Sequence, residues 1–288
     1  MALTRLWSGM RTWATDEAQT DSRIVLIIND NGRDDLLHYN FPEDTSQDDQ
    51  EKGISNLYEV DDQGLTNIDP GNLQPSSIRV GIRGDDSWAL EDFFVFGEEN
   101  GSPIPLALAR KITKFLSTDQ SDGDGSGARL SIPIPPVILG NSTTPIFGLL
   151  VLMETDADGT DSRVQLRITI TNPPSLAVVF DMPPPALPPE SAQGNQFHQE
   201  ANQASFYYVE RETDHEVIPF TKGALDGSSI KLSLQEANDS WLPKSFFIFG
   251  IGTREEEGGL VHIVPLVHIP EWNQGPLVGP TTVTLPLI

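Results

Sequence analysis

The sequence predicts an all-β protein made of two tandem antiparallel β-sandwich domains that arose by internal duplication. Three observations lead to this prediction. The chain of 288 residues contains 24 glycines and 23 prolines, which is typical of a fold with many turns. Short runs of Val, Ile, Leu and Phe recur between these turns, as expected for many short strands. Similar blocks of sequence also occur twice, in the same order.

The blocks that repeat define the two copies. The first pair shares the pattern T-D-x-x-x-T-D-S-R, the second is weaker, and the third aligns SSIRVGIRGDDSW with SSIKLSLQEANDSW and FFVFG with FFIFG. A polar stretch rich in Gly and Pro begins at Gly140, so we expect residues 1–140 and 141–288 to form one domain each. The matching blocks are residues 15–23 with 155–163, 50–60 with 199–209, and 76–97 with 228–250.

The spacing of apolar residues predicts the strands within each copy. Apolar residues alternate with polar ones along residues 164–170 and 230–234, and likewise along 78–82 in the first copy. The segment from Pro105 to Leu116 resembles a helix, but its counterpart IVPLVHIPEW contains an internal proline. We therefore predict that both segments are strands.

The charge of the chain narrows the classes of partner. The net charge is −24, with 18 basic against 42 acidic residues, and this argues against binding to nucleic acid or to a bare anionic membrane. Cations and basic protein partners are more compatible with this charge. The sequence has no cysteine, which excludes disulfides and thiolate chemistry within it.

Targeting and catalytic motifs are absent from the sequence. We expect a soluble protein without a standard signal peptide or transmembrane segment, either cytoplasmic or exported by another route. No nucleophile elbow, phosphate-binding loop, dinucleotide fingerprint or HExxH motif occurs, so the sequence predicts a protein that is not an enzyme.

Two short motifs resemble those of the PLAT/LH2 domain, the β-sandwich of lipoxygenases, some lipases and polycystins. The segment Asp158-Gly159-Thr160-Asp161-Ser162 is similar to the turn that opens such domains, and residues 18–22 fit it without the glycine. The triplets at 86–88 and 239–241, Asp-Ser-Trp, are similar to the later turn that precedes a strand. The resemblance implies a non-catalytic module that guides a partner to a lipid or protein surface, in some members with calcium at the loop tips.

Closely spaced carboxylates at these turns are candidate calcium ligands, because calcium prefers six to eight hard oxygen atoms. The alternative is that Asp, Asn and Gly occur here only because turns favour them. The candidates are Asp156, Asp158, Asp161, Asn238 and Asp239 in the second copy, and Asp16, Asp21, Asp85 and Asp86 in the first.

The tryptophans divide into two groups. Trp88 and Trp241 occupy the same position in both copies, each before an aromatic strand, and we expect both to pack in the core. Trp7, Trp13 and Trp272 have no counterpart in the other copy, which makes them better candidates for contacts outside the domain.

Three functional hypotheses remain at this point. The first is a tandem β-sandwich that attaches to a protein or lipid surface through its loop tips. The second is a structural subunit of a capsid, tail, sheath or filament. An oligomer of this chain would belong to the same class. Pro-rich segments at residues 132–136 and 279–288 fit this hypothesis, and the apolar C-terminal end would either close its own sandwich or add to the sheet edge of a neighbour. The third, weaker hypothesis is a carbohydrate-binding or carbohydrate-active β-sandwich.

Overall fold

Strands make up nearly all of the regular secondary structure. The computed structural model describes residues 2–13, 23–29, 35–42, 55–83, 87–112, 114–117, 131–171, 174–181, 201–210, 219–252 and 261–288. Within these ranges the chain forms strands and short 3-10 turns and no α-helix, which confirms the all-β prediction. The 3-10 turns are Gln63–Asn67, Pro70–Asn72 and Lys222–Ala224. Contacts divide the chain into two compact units between Val137 and Ile138.

Unit 1 contains two antiparallel sheets. Its strands are β1 (Arg5–Thr12), β2 (Arg23–Asn29), β3 (Asp35–Asn40), β4 (Ser55–Glu59), β5 (Ile78–Arg83), β6 (Trp88–Glu99), β7 (Ser102–Ala109), β8 (Lys114–Leu116) and β9 (Ser131–Pro133). In the front sheet of unit 1 the strands β4, β1, β6 and β7 lie side by side, and β8 pairs with β6. In its back sheet the order is β3, β2, β5 and β9. The segment predicted to be strand despite its helical pattern contributes β7 and β8, so that prediction is confirmed.

Unit 2 has the same kind of organisation. Its strands are β10 (Ile138–Leu139), β11 (Pro145–Ile146), β12 (Gly148–Thr155), β13 (Val164–Thr171), β14 (Pro174–Asp181), β15 (Ala204–Glu210), β16 (Phe220–Thr221), β17 (Ile230–Leu234), β18 (Ser240–Trp241), β19 (Pro243–Ile251), β20 (His262–Ile269), β21 (Leu277–Val278) and β22 (Thr281–Thr284). In the front sheet of unit 2 the order is β10, β20, β19, β12 and β15, and in its back sheet it is β14, β13, β17 and β22. Two short pairs, β11 with β16 and β18 with β21, complete the unit.

Each unit has a hydrophobic core between its front and back sheets. Side chains from both sheets join one cluster in each unit. Burial of one large apolar side chain contributes about 1.5–3 kcal/mol, so these clusters are the main stabilising term. In unit 1 the cluster includes Leu6, Met10, Phe93 and Val95 from the front sheet and Ile24, Leu26, Val80 and Ile82 from the back sheet. In unit 2 it includes Val151, Met153, Phe246 and Ile248 from the front sheet and Val164, Leu166, Ile230 and Leu232 from the back sheet.

The aromatic strands β6 and β19 of the front sheets differ from β13 in that both of their faces are buried. On the face away from the core, Phe94 and Phe96 of unit 1 and Phe247 and Phe249 of unit 2 are each 0% exposed. A strand buried on both faces has a continuous apolar run, whereas a strand buried on one face alternates. This explains why FFVF and FFIF are continuous while β13 alternates residue by residue.

The strand register of unit 2 repeats that of unit 1. Ser8 of β1 lies opposite Tyr58 and Val95, and Val151 of β12 lies opposite Tyr207 and Ile248. In this register β4 corresponds to β15, and Tyr58 corresponds to Tyr207. The weaker sequence block, which aligns residues 50–60 with 199–209, has the same spacing. The front sheet of each unit also contains a bulge beside a proline, because Pro105 and Pro265 have no backbone N–H to donate to the neighbouring strand.

A glycine on the aromatic strand recurs for steric reasons. Gly97 and Gly250 occupy the same register position, and an apolar side chain from the start of each unit packs directly against them. A Cβ added at Gly97 would lie 2.7 Å from the Leu3 side chain, and one added at Gly250 would lie 2.7 Å from Ile146. Leu3 is 0% and Ile146 is 1% exposed. The two glycines therefore leave room for Leu3 and Ile146 to pack against the aromatic strands.

The Pro-rich segments close their own units. Ile134 donates its backbone N–H to Ile78 at 2.8 Å, and Leu285 donates to Ile230 at 2.9 Å. Farther along, Val137 donates to Leu106 and Ile288 to Leu266, both at 3.1 Å. Of the two alternatives for the C-terminal segment, the structure shows closure of the same unit.

We expect Gly250→Ala to lower the free energy of unfolding by about 1–3 kcal/mol, the usual cost of an overpacked core. The added Cβ would meet three atoms of Ile146 within 2.9 Å, whereas at Gly97 it would meet mainly the terminal methyls of Leu3, which can rotate. Gly97→Ala should therefore cost less. Urea unfolding measures both, with Gly227→Ala as the control because nothing lies within 4 Å of a Cβ there. Equal stability of Gly250→Ala and wild type would contradict this packing.

Candidate functional site

Two sequence motifs of unit 2 meet at one end of its sheets. The turn after β12 and the segment before β19 are connected by side-chain hydrogen bonds. The Thr160 hydroxyl donates to Asp239 Oδ2, and the Ser240 hydroxyl donates to Asp158 Oδ2 at 2.6 Å. These segments carry the predicted calcium ligands of the second copy. We call residues 156–162 and 238–241 the loop tip of unit 2.

Asp239 organises this loop tip. Its Oδ2 accepts the backbone N–H of Ser162 at 2.8 Å in addition to the Thr160 hydroxyl, and its Oδ1 accepts the N–H of Ser240 at 2.8 Å. Ser162 is 0% exposed, and its own hydroxyl accepts the N–H of Glu236 at 2.8 Å. Hydrogen bonds to an ionised carboxylate are stronger than those between neutral groups. The Asp239 carboxylate thus accepts hydrogen bonds from both segments of the loop tip.

Backbone contacts fix the same two segments. Leu242 donates its N–H to the carbonyl of Asp158 at 3.0 Å, and Asp156 donates to the carbonyl of Leu242 at 2.8 Å. Asn238 has a φ of 68°, in the left-handed region that asparagine tolerates better than most residues. The loop tip is therefore held by its own chain from both sides.

The predicted calcium ligands of the second copy lie around this loop tip. Asp158 and Asp161 are exposed, as is Asn238, and Asp156 is half-buried with its Oδ1 accepting the N–H of Ala157 at 2.8 Å. Among the described residues no group of three or more His, Asp or Glu side chains is placed to hold a metal ion. Calcium binding stays a prediction. The first-copy candidates Asp16, Asp21, Asp85 and Asp86 lie outside the described residues.

In each unit a buried tryptophan donates a hydrogen bond to a threonine. The Trp241 indole N–H donates to the Thr155 hydroxyl at 3.1 Å, and the Trp88 indole N–H donates to the Thr12 hydroxyl at 3.0 Å. Both tryptophans are 0% exposed, which confirms that they pack in the core. The bond also shows that Thr155 corresponds to Thr12 in space and not to Thr15, with which the repeated sequence pattern aligns it.

Two other tryptophans are also buried. Trp7 is 3% and Trp272 is 9% exposed. The Trp7 ring stacks on Phe96 with centroids 5.3 Å apart, and the Trp272 indole donates to the carbonyl of Gly275 at 2.8 Å. Trp272 belongs to the core cluster of unit 2, so the prediction of contacts outside the domain is wrong for this residue. For Trp7, and for the partly exposed Trp13, such contacts stay a prediction.

A charged cluster in unit 1 was missed from sequence. Arg11 Nε lies 3.0 Å from Glu91 Oε2, and its Nη1 lies 4.0 Å from Asp92 Oδ2. In unit 2 the same register positions hold Glu154 with Lys244, 2.5 Å apart, so the charges are exchanged. The signal lay in the alignment of WALED with WLPKS. There Glu91 and Asp92 of the first copy correspond to Lys244 and Ser245 of the second.

Comparison with known proteins gave no match: no protein-family model, curated protein or solved structure resembles the chain. The part of the chain that the structure describes has no helix long and apolar enough to cross a membrane. Function must therefore be inferred from the chain itself.

We expect Thr155→Val to lower the free energy of unfolding by about 1–3 kcal/mol, because the buried Trp241 N–H would lose its acceptor. Thr155→Ser keeps the hydroxyl and should retain more of that stability. Chemical unfolding of both variants, alongside Thr12→Val and Thr12→Ser in unit 1, provides the measurement. If Val and Ser were equally tolerated at both sites, the bond would not stabilise the fold.

Proposed function

We propose that this protein is a non-catalytic interaction module built from two copies of one antiparallel β-sandwich, with PLAT-like loop tips that contact a partner. Its partner is a protein or lipid surface, and a basic protein surface suits the net charge of −24 best.

One observation supports this proposal above the others. The features that recur in both units are packing devices: the glycine of the aromatic strand, the Trp–Thr hydrogen bond and the proline at the bulge. Another is the serine before the back-sheet strand, where Ser77 accepts the N–H of Gln74 and Ser229 that of Asp226, both at 2.8 Å. In contrast, the charged pair at the bulge is exchanged between the units. A duplication that retains its scaffold while its polar side chains change is expected of a binding module.

The loop tip of unit 2 is the contact surface that we favour. Asp158 and Asp161 are exposed there, on a turn whose backbone is fixed by Asp239. A pre-organised turn loses little conformational freedom on binding, which favours affinity. Calcium remains a candidate for bridging these carboxylates to a partner, although Asp158 and Asp239 already accept hydrogen bonds from the chain.

The contact surface is tested by affinity capture from an extract of the source cells, followed by identification of the captured proteins. We expect the double variant Asp158→Asn, Asp161→Asn to lose partners that wild type retains. Asp226→Asn removes one negative charge at the opposite end of β17 and should keep those partners. Equal capture by all three proteins would place the contact elsewhere.

Calcium is tested by thermal unfolding in EGTA and then in millimolar calcium. Since the loop tip is held by hydrogen bonds within the chain, we expect no shift specific to calcium. Saturation at a hundredfold excess over Kd would instead add about 2.7 kcal/mol, which corresponds to a rise in Tm of about 5–11 °C for a domain of this size. A shift of that size that Asp161→Ala abolishes and Asp226→Ala retains would establish the predicted metal site.

An assembly subunit is the second candidate, and one surface of unit 2 favours it. Ile138, Leu139 and Ile288 are 38%, 54% and 40% exposed, and all three lie along the outer edge of β20. Sedimentation at several concentrations distinguishes the candidates. A dimer that Leu139→Ser abolishes, and that Val278→Ser on β21 does not, would support assembly. A monomer throughout would favour the interaction module.

A further inference from the structure

The charged cluster of unit 1 arises at a β-bulge. Arg11 lies opposite Asp92 and Thr12 lies opposite Leu90, so Glu91 is the extra residue of β6. Bulges redirect side chains and are frequent next to functional sites. Here the bulge allows one guanidinium, that of Arg11, to lie against two carboxylates. Its contact with Glu91 is an ion pair without hydrogen-bond geometry.

The same two acidic residues hold the turn that follows β7. The backbone N–H of Lys111 donates to Asp92 Oδ1 at 3.1 Å, and that of Ile112 donates to the carbonyl of Glu91 at 2.9 Å. Lys111 has a φ of 50°, a left-handed conformation that is unfavourable for a long side chain. The Arg110–Ile112 turn is therefore kept in this conformation by contacts with β6.

Burial makes ionisation of these carboxyls costly. Asp92 is 7% exposed. Burial raises the pKa of Asp92 above its ordinary value, against the opposing effects of the Lys111 N–H, Arg11, Arg110 and the Lys111 ammonium. Burial also raises the pKa of Glu91, where Arg11 opposes the shift and the Asp92 carboxylate adds to it. Three cations, Arg11, Arg110 and Lys111, thus act against the shift at Asp92, and Arg11 acts against it at Glu91, but the direction of both shifts is that of burial.

Unit 2 lacks this arrangement. At the equivalent bulge Lys244 and Ser245 replace the acidic pair, and Glu154 replaces Arg11. The Lys244 side chain is 58% exposed, so this pair is solvated and contributes little. The duplicated scaffold therefore carries a buried carboxyl pair in one copy only, which provides an internal control.

We propose that Glu91 and Asp92 form a proton-sensitive latch, in which uptake of protons in mild acid holds the Arg110–Ile112 turn on β6 more firmly and their loss at higher pH loosens it. This conformational device does not depend on the function proposed above.

The direction follows from linkage. In this proposal, opening of the turn removes the Lys111 N–H from Asp92 and returns water to the carboxyls, which moves their pKa values back toward the ordinary range. The closed state therefore binds more protons at intermediate pH. The free energy of opening therefore falls as pH rises from the ordinary carboxyl range through the raised values of the closed state. Each pKa unit of difference increases the opening constant about tenfold across that window.

Hydrogen exchange of the full chain between about pH 4 and about pH 8 tests the latch, since this range covers ordinary and raised carboxyl pKa values. After correction for intrinsic exchange, we expect protection of the peptide that contains Lys111 and Ile112 to fall as pH rises. The double variant Glu91→Gln, Asp92→Asn should lose this pH dependence, because neither side chain titrates and the amide oxygen introduced by Asp92→Asn can still accept the Lys111 N–H. Glu154→Gln in unit 2 should leave it unchanged.

Two results would overturn the latch. One is protection in the wild-type protein that stays constant or rises with pH. The other is the same pH dependence in wild type and in the double variant, which would assign the effect to other groups. If the double variant does not fold, Glu91→Gln alone should still reduce the slope, and the sign measured on wild type remains decisive.

Discussion

The buried indole N–H of the tryptophan that begins each aromatic strand is the constraint on which the rest of this structure depends. In both units the ring is out of contact with water, so its N–H needs an acceptor inside the protein. A threonine at the end of the facing strand supplies it, Thr12 for Trp88 and Thr155 for Trp241. The strand register slips by one residue next to each threonine, and the bulge is therefore part of the same arrangement.

The position of this bond determines where polar chemistry collects. In unit 2 the loop tip begins directly after Thr155 and ends at Trp241, so fixing that pair brings Asp239 to Ser162 and Thr160. The bulge beside it leaves one residue of the aromatic strand free of a partner in the ladder. That residue is Glu91 in unit 1 and Lys244 in unit 2, and each forms an ion pair with the residue that precedes the threonine. The shared backbone arrangement fixes the position of the ion pair, and the side chains at that position determine its charges.

Much of the fold could be predicted because the apolar patterns have physical causes. The alternation along β13 follows from burial of one face, and the continuous FFVF and FFIF runs follow from burial of both. The internal proline of residues 263–272 correctly excluded a helix. The prediction that Trp272 makes contacts outside its domain was wrong, since its ring is buried in the core by neighbours that are distant in sequence and that no local pattern reveals.

The sequence by itself determined the all-β class, several of the strands in each copy and the core role of Trp88 and Trp241, because strand periodicity and the internal repeat are local properties of the chain. Only the tertiary structure decided which polar groups meet. It gave the carboxylates of Asp158 and Asp239 donors from the other segment of the loop tip, closed each unit with its own Pro-rich segment, and buried Asp92 beside Glu91. The physical reason is that hydrogen bonding and desolvation depend on distances between segments far apart in sequence, which strand pairing and its bulges set.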